Sequence, residues 1–173
     1  MRLYRSTVRE GGLQDLRTPE SILSSMNIFE ALRVSHETQR ALSARLLASL
    51  SDIPERDRIF KELKLELKTH ETAEERCFYV PLFAHDVTVD PSRHAIAEHH
   101  EIDEMVEDIE KLASGSSSWP EAAKKLTDKV KHHLEEEEHK FFQEAGKVLT
   151  ESQKLSLAKE YEAEFMTQRL KPA

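Results

Sequence analysis

Apolar residues recur at three- and four-residue spacing over five stretches of this chain, and no stretch alternates apolar and polar positions between turn signals as a strand does. The first stretch reads Phe29, Leu32, His36, Gln39, Leu46, Leu50. The second reads Phe60, Leu63, Leu67, His70, Glu74, Phe78. The third reads Ala95, His99, Ile102, Val106, Ile109, and the fourth Leu126, Val130, His133, Glu137, Phe141, Ala145. Punctuation separates them. Asn27-x-x-Glu30 reads as a capping box opening a helix to about Leu50, with a shorter turn before it at Thr18-Pro19-Glu20. Asp52-Ile-Pro54-Glu55 opens a second helix that ends near Pro81, and Asp90-Pro91 opens a third that ends at Ser114-Gly115. Ser118-Trp-Pro120-Glu121 opens a fourth to about Leu149, and Thr150-x-x-Gln153 caps a fifth to about Gln168. Connections this short make neighbours antiparallel. The expected fold is all-α: an up-down four-helix bundle over 27–149, an extra C-terminal helix over 150–173 and an N-terminal extension over 1–26.

In each of the four bundle stripes one position that the period reserves for the core is a histidine: His36, His70, His99 and His133. His36 lies 14 residues before Leu50 and His70 lies 15 after Glu55, so each sits roughly 21–23 Å from the same end of the bundle. The second hairpin repeats this, with His99 placed 14 residues before Ala113 and His133 placed 15 after Ser118. Four inward imidazoles therefore fall at one level.

Two of them belong to a repeated phrase. His70-Glu71-Thr72-Ala73-Glu74-Glu75-Arg76-Cys77-Phe78-Tyr79 returns as His133-Leu134-Glu135-Glu136-Glu137-Glu138-His139-Lys140-Phe141-Phe142, both His-x3-Glu-Glu-x2-aromatic-aromatic. Residues four apart share a helix face, so His70 pairs with Glu74, and His133 with Glu137. One such couple alone reads as a buried hydrogen-bonded pair. Two in register, with two more histidines at their level, read as metal ligands, because an imidazole and a carboxylate in an apolar core need compensation that a cation supplies. Nitrogen and carboxylate donors suit iron, manganese or zinc. On this reading Glu74 and Glu137 bridge two ions, and the four histidines are terminal ligands.

The composition narrows the setting. The chain has 173 residues, only 4 Gly, 34% charged residues and one cysteine. This fits a single helical domain without an internal disulfide, and favours a reducing cytoplasm. A net charge of −8 argues against nucleic acid as a general partner. No apolar run reaches the roughly 20 residues needed to span a membrane, and no signal-peptide core follows the N-terminal arginines.

The pattern resembles the hemerythrin family, in its HHE cation-binding branch, over about Asn27 to Leu149. The resemblance rests on His36, His70-x3-Glu74, Glu98-His99-x-Glu101-Ile102 and His133-x3-Glu137-Glu138. It implies a four-helix bundle holding two iron ions, oxo- or carboxylate-bridged, that bind dioxygen, peroxide or nitric oxide, or that sense iron or redox state. Peroxide-consuming or ferroxidase-like catalysis is the enzymatic alternative, and a metal-free helical interaction module the third. Oxygen-carrying members have a His-x3-His pair on the third helix and a fourth-helix Asp five residues after its His. Here position 95 is Ala and 103 is Asp, and the fourth-helix acid is Glu137, four residues after His133. That sets this chain apart from the carriers. Glu71 is the first choice to replace the missing histidine, ahead of Asp103, Glu37 or water.

The remaining polar residues read as peripheral. His132 falls with Lys125 and Lys129 on a wet flank, and His100 with Asp103 and Glu107. Glu75, Glu135, Glu136 and Glu138 read as solvated surface, and His85, His94 and His139 as surface or loop. Cys77 and the aromatic pairs read as packing. The fifth helix and residues 1–26 either pack on the bundle or form a homodimer contact.

Overall fold

The computed structural model describes residues 26–171. Among them, α1 is Ile28–Ala48, and α2 is Ile53–Glu74, extended by a π-helical segment Glu75–Tyr79 and a last turn Val80–Leu82. Helix α3 is Asp86–Lys111. Helix α4 is Trp119–Glu136, extended by a second π segment Glu137–Phe141 and by Phe142–Val148. Helix α5 is Glu151–Arg169. No strand occurs among the described residues. The expected turn at Thr18 lies outside them.

The starts follow local chemistry. Asn27 accepts from the Glu30 amide while the Glu30 carboxylate accepts from the Asn27 amide at 2.8 Å, and Thr150 and Gln153 repeat the reciprocal cap on α5. Asp52 caps α2 by accepting from the Glu55 amide. Helix α3 departs from expectation. It begins at Asp86 rather than Asp90, with Pro91 inside it. Pro91 lacks the N–H that would reach the Val87 carbonyl, but Val87 is 62% exposed, so water can serve that carbonyl. The Thr88 hydroxyl donates to the Leu82 carbonyl at 2.6 Å and fixes the tight corner between α2 and α3. At the other end, Arg56 is buried beneath Trp119, 3.9 Å from the ring centre, and donates to the Ser114 carbonyl at 2.6 Å. It thereby ties the start of α2 to the α3–α4 loop.

The helices pack as two antiparallel hairpins, α1–α2 and α3–α4, and α5 lies across α1 and α2. The apolar core is in two parts. One part holds Ile28, Leu32, Phe78, Tyr79, Phe141 and Phe142 with Leu157 and Tyr161 of α5. The other holds Leu46, Ile59, Leu63, Ile102, Leu126 and Val130. Between them runs a polar layer of His36, His70, Glu74, His99, His133 and Glu137, each no more than 3% exposed. The fold therefore places the four histidines at one level, as the sequence predicts.

The π segments shape one wall of that layer. Both begin at the Glu-Glu doublet of the repeated phrase. In an α-helix, residues five apart are turned about 140° from each other. The wider π turn reduces that angle, and it brings Tyr79 back over Glu74. It also lets both members of each aromatic pair face inward, since Phe78, Tyr79, Phe141 and Phe142 are all buried.

Leu63 is fully buried in the core part away from the aromatic residues. Truncation by Leu63→Ala is expected to cost about 2–5 kcal/mol, read as a lower urea midpoint with an unchanged slope.

Candidate metal centre

The polar layer is built so that four imidazole Nε2 atoms face inward. His36 Nε2 lies 3.3 Å from Glu137 Oε2, and His70 Nε2 lies 3.2 Å from Glu74 Oε2. His99 Nε2 is 3.4 Å from Glu74 Oε2 and 3.1 Å from His133 Nε2. Two groups of donors converge within 4.8 Å: His36 with His70 and Glu74, and Glu74 with His99 and His133. Glu74 is common to both. Glu137 stands across from it, and the Tyr79 hydroxyl lies 2.8 Å from each carboxylate.

The outward nitrogens explain why the inward ones point as they do. His36 Nδ1 is 2.7 Å from Glu138 Oε1, His99 Nδ1 is 3.0 Å from Glu75 Oε1, and His133 Nδ1 is 3.0 Å from Glu98 Oε2. His70 Nδ1 is 2.8 Å from the Tyr161 hydroxyl. A carboxylate can only accept, so the three Nδ1 atoms facing one carry the proton, and Tyr161 can accept from the fourth. With a cation bound at the centre, each ring would present an Nε2 lone pair to it, as metal-bound histidines do.

The inner atoms lack partners of their own. His36 Nε2, His70 Nε2, Glu74 Oε1 and Glu137 Oε2 are buried with no hydrogen bond. Buried polar atoms are rarely left so, and nitrogen and carboxylate donors converging on shared points are what divalent cations of the iron–zinc series take. The residues present therefore fit a pair of such ions.

Charge in the layer follows the same geometry. Burial opposes ionisation of Glu74, but His70 and His99 outweigh it and hold the carboxyl well below its usual range. Burial first, and then the charge of Glu74, push Glu137 up to about 7. Burial lowers His70, and lowers His133 to about 4. For His36, burial is outweighed by Glu137 and Glu138, which raise it to about 9. His99 is raised in the same way by Glu74 and Glu75.

The structure brings six of the seven expected site residues into one layer. The seventh, Glu71, is 3% exposed with both oxygens unpartnered, and burial pushes its carboxyl up to about 8, but it stands outside both donor groups. Its weighed alternatives face away. Asp103 is held by Lys68 at 2.7 Å, and Glu37 by Arg40 at the surface. His132 pairs with Glu136 on the wet flank.

Glu75 and Glu138 are a correction. Expected as solvated surface, they orient His99 and His36. The signal was in the phrase itself. The second Glu of each doublet crosses to a histidine of a neighbouring helix, and the two first Glu differ: Glu74 faces His70 of its own helix, whereas Glu137, expected to pair with His133, faces His36 of α1. Tyr161 carried no such signal, since only the packing of α5 brings it to His70. Cys77 is half-buried, and burial, then Glu164 and Glu160, push its thiol up to about 11, consistent with packing.

A four-helix bundle whose core is crossed by a layer of inward imidazoles and shared carboxylates is a cation-binding bundle. The profile of the hemerythrin HHE cation-binding domain matches residues 27–145, and the chain belongs to that family. Among solved structures, a hemerythrin HHE cation-binding domain-containing protein from Mycobacterium kansasii is similar in fold, with a TM-score of 0.75 at 20% identity, covering 83% of this chain and 88% of that one. No curated protein matches the chain.

Tyr161→Phe removes only the hydroxyl that faces His70 Nδ1. It is expected to weaken metal binding about 10–100-fold, measured by competition with a chelator, while circular dichroism stays unchanged.

Proposed function

We propose that the layer holds two iron ions, and that the protein binds or senses dioxygen or a related small molecule there. The observation that carries this reading is the sharing of Glu74 between two donor groups of buried, otherwise unpartnered atoms. His36 and His70 would serve one ion and His99 and His133 the other, with Glu74 and Glu137 reaching both. Glu71, buried close to His70 and without partners, is the candidate for a further ligand. Manganese or zinc would suit the same donors. A pair of irons supplies one-electron chemistry at each ion toward dioxygen, peroxide or nitric oxide.

The chain's own residues set the conditions for that chemistry. Phe78, Phe141 and Phe142 shield one side of the layer from bulk water. The Glu75, Glu98 and Glu138 carboxylates and the Tyr161 hydroxyl keep the four rings turned inward. Tyr79 places one hydroxyl proton between Glu74 and Glu137, and burial together with those two carboxylates raises its pKa well above the usual phenol value, so the proton is retained. That hydroxyl, placed where it could hydrogen-bond an oxygen species at the centre, favours a second reading, in which the centre consumes peroxide or oxidises ferrous ion.

Purified protein is expected to hold two equivalents of iron per chain, and Glu74→Ala to lose at least one. Chelation is expected to lower stability by about 3 kcal/mol or more, seen as a fall in Tm of roughly 5–10 °C. No more than one equivalent of any metal would sink the dinuclear reading. Peroxide turnover that disappears in Glu74→Ala and His133→Ala would select the enzymatic reading over stoichiometric binding. A metal-free protein in which Glu74→Leu is at least as stable as the parent would select a helical interaction module.

A further inference from the structure

A cavity of about 330 Å³ opens between α3 and α4 and runs inward to His133 and Glu137. Asp90, His94, Glu98 and Glu136 line it as well. Three of these present donor atoms to one another. His94 Nε2 lies 3.8 Å from Glu98 Oε2 and 3.9 Å from Glu136 Oε2, and the three donors fall within 4.8 Å.

The two carboxylates are held in this pose from behind. Lys129 takes Glu98 Oε1 at 3.0 Å, and Lys140 takes Glu136 Oε1 at 2.9 Å. In each case the lysine occupies one oxygen and the other faces His94, with His132 Nε2 also 3.3 Å from Glu136 Oε2 on its outer side. Separations of 3.8 and 3.9 Å are too long for hydrogen bonds. Ligand atoms bonded to one divalent ion at about 2.1 Å stand about 3.0–3.5 Å apart. An imidazole as exposed as His94, at 59%, can close that gap by a small rotation.

The cavity also reaches the centre and favours cations. Glu137, whose buried Oε2 faces His36 in the centre, lines the same cavity at its inner end. Five acidic residues, Asp90, Glu98, Glu136, Glu137 and Glu144, outweigh Lys140 along the walls, and a cleft of one sign concentrates the opposite charge. Glu98 joins the two ends, because its Oε2 faces His94 and also accepts from His133 Nδ1.

We propose that His94, Glu98 and Glu136 form an outer, weaker site for a divalent cation of the iron–zinc series. It captures the ion from solution and delivers it through the cavity to the His133 and Glu137 side of the centre. No oxidation state changes and no covalent bond forms in this transfer. The delivery step rests on the dinuclear reading above, whereas the outer site does not.

The probe is Co²⁺, added to metal-free full-length protein and followed by equilibrium dialysis and by stopped-flow absorption. The parent is expected to bind two tight equivalents and one weak one. His94→Ala and Glu136→Gln are expected to lose only the weak one, and to fill the centre about tenfold more slowly at limiting Co²⁺. Two tight equivalents with no weak one would overturn the outer site and leave the dinuclear reading standing. A weak equivalent lost in His94→Ala, with no tight ones in either protein, would support the outer site and sink the dinuclear reading. A weak equivalent with equal filling rates in parent and variants would overturn delivery.

Discussion

The structure turns on one energetic constraint: four imidazoles and two carboxylates have been taken out of water in the same cross-section of the bundle. Removing such groups from water without compensation is costly, and the protein itself compensates the outward of two tiers. The outward tier is internal, made of Glu75, Glu98, Glu138 and Tyr161. The inward tier, among it His36 Nε2, His70 Nε2, Glu74 Oε1 and Glu137 Oε2, has no hydrogen-bond partner within the described residues. The division of the apolar core into two parts follows directly, since the layer displaces hydrophobic packing from the middle of the bundle to its two ends.

How much of this was legible in the sequence depends on how local its cause is. The histidine stripe and its level follow from the helical period and the short connections, which are properties of the chain read along itself. Glu74 and Glu137 follow for the same reason, lying one turn beyond a histidine. The start of α3 did not, because Pro91 matches the rule for a first helical turn and the structure tolerates it one turn later at a wet face. Glu75 and Glu138 act across helices, so a reading confined to each helix assigned them to solvent. Tyr79 depends on the change to π-helical winding past Glu74, which turns its hydroxyl back over that carboxylate while Phe78 stays in the core.

The paired π segments deserve a physical reason beyond coincidence. An α-helix can bury one narrow stripe, but α2 and α4 must each present a carboxylate to the layer and then two adjacent aromatic side chains to the core above it. Inserting a wider turn just after the carboxylate rotates the following residues without breaking the helix. Both copies of the repeated phrase use it at the Glu-Glu doublet, beginning at the second Glu, Glu75, in one copy and at the first, Glu137, in the other. The repetition thus extends from residue identity to backbone winding, and it leaves the third and first helices, which carry no such phrase, regular through their length.

Helix α5 changes what counts as the unit of this protein. The family match stops at residue 145, and among the described residues the four helices it covers hold the donors of both inner groups. Yet the hydroxyl that orients His70 comes from Tyr161, beyond that limit. Similarity between relatives outlines the part that supplies the donor set, whereas the part that aims it reaches one helix further. Two proteins with identical donor residues in the shared domain can therefore differ in affinity and reactivity through an appended segment that their alignment never compares.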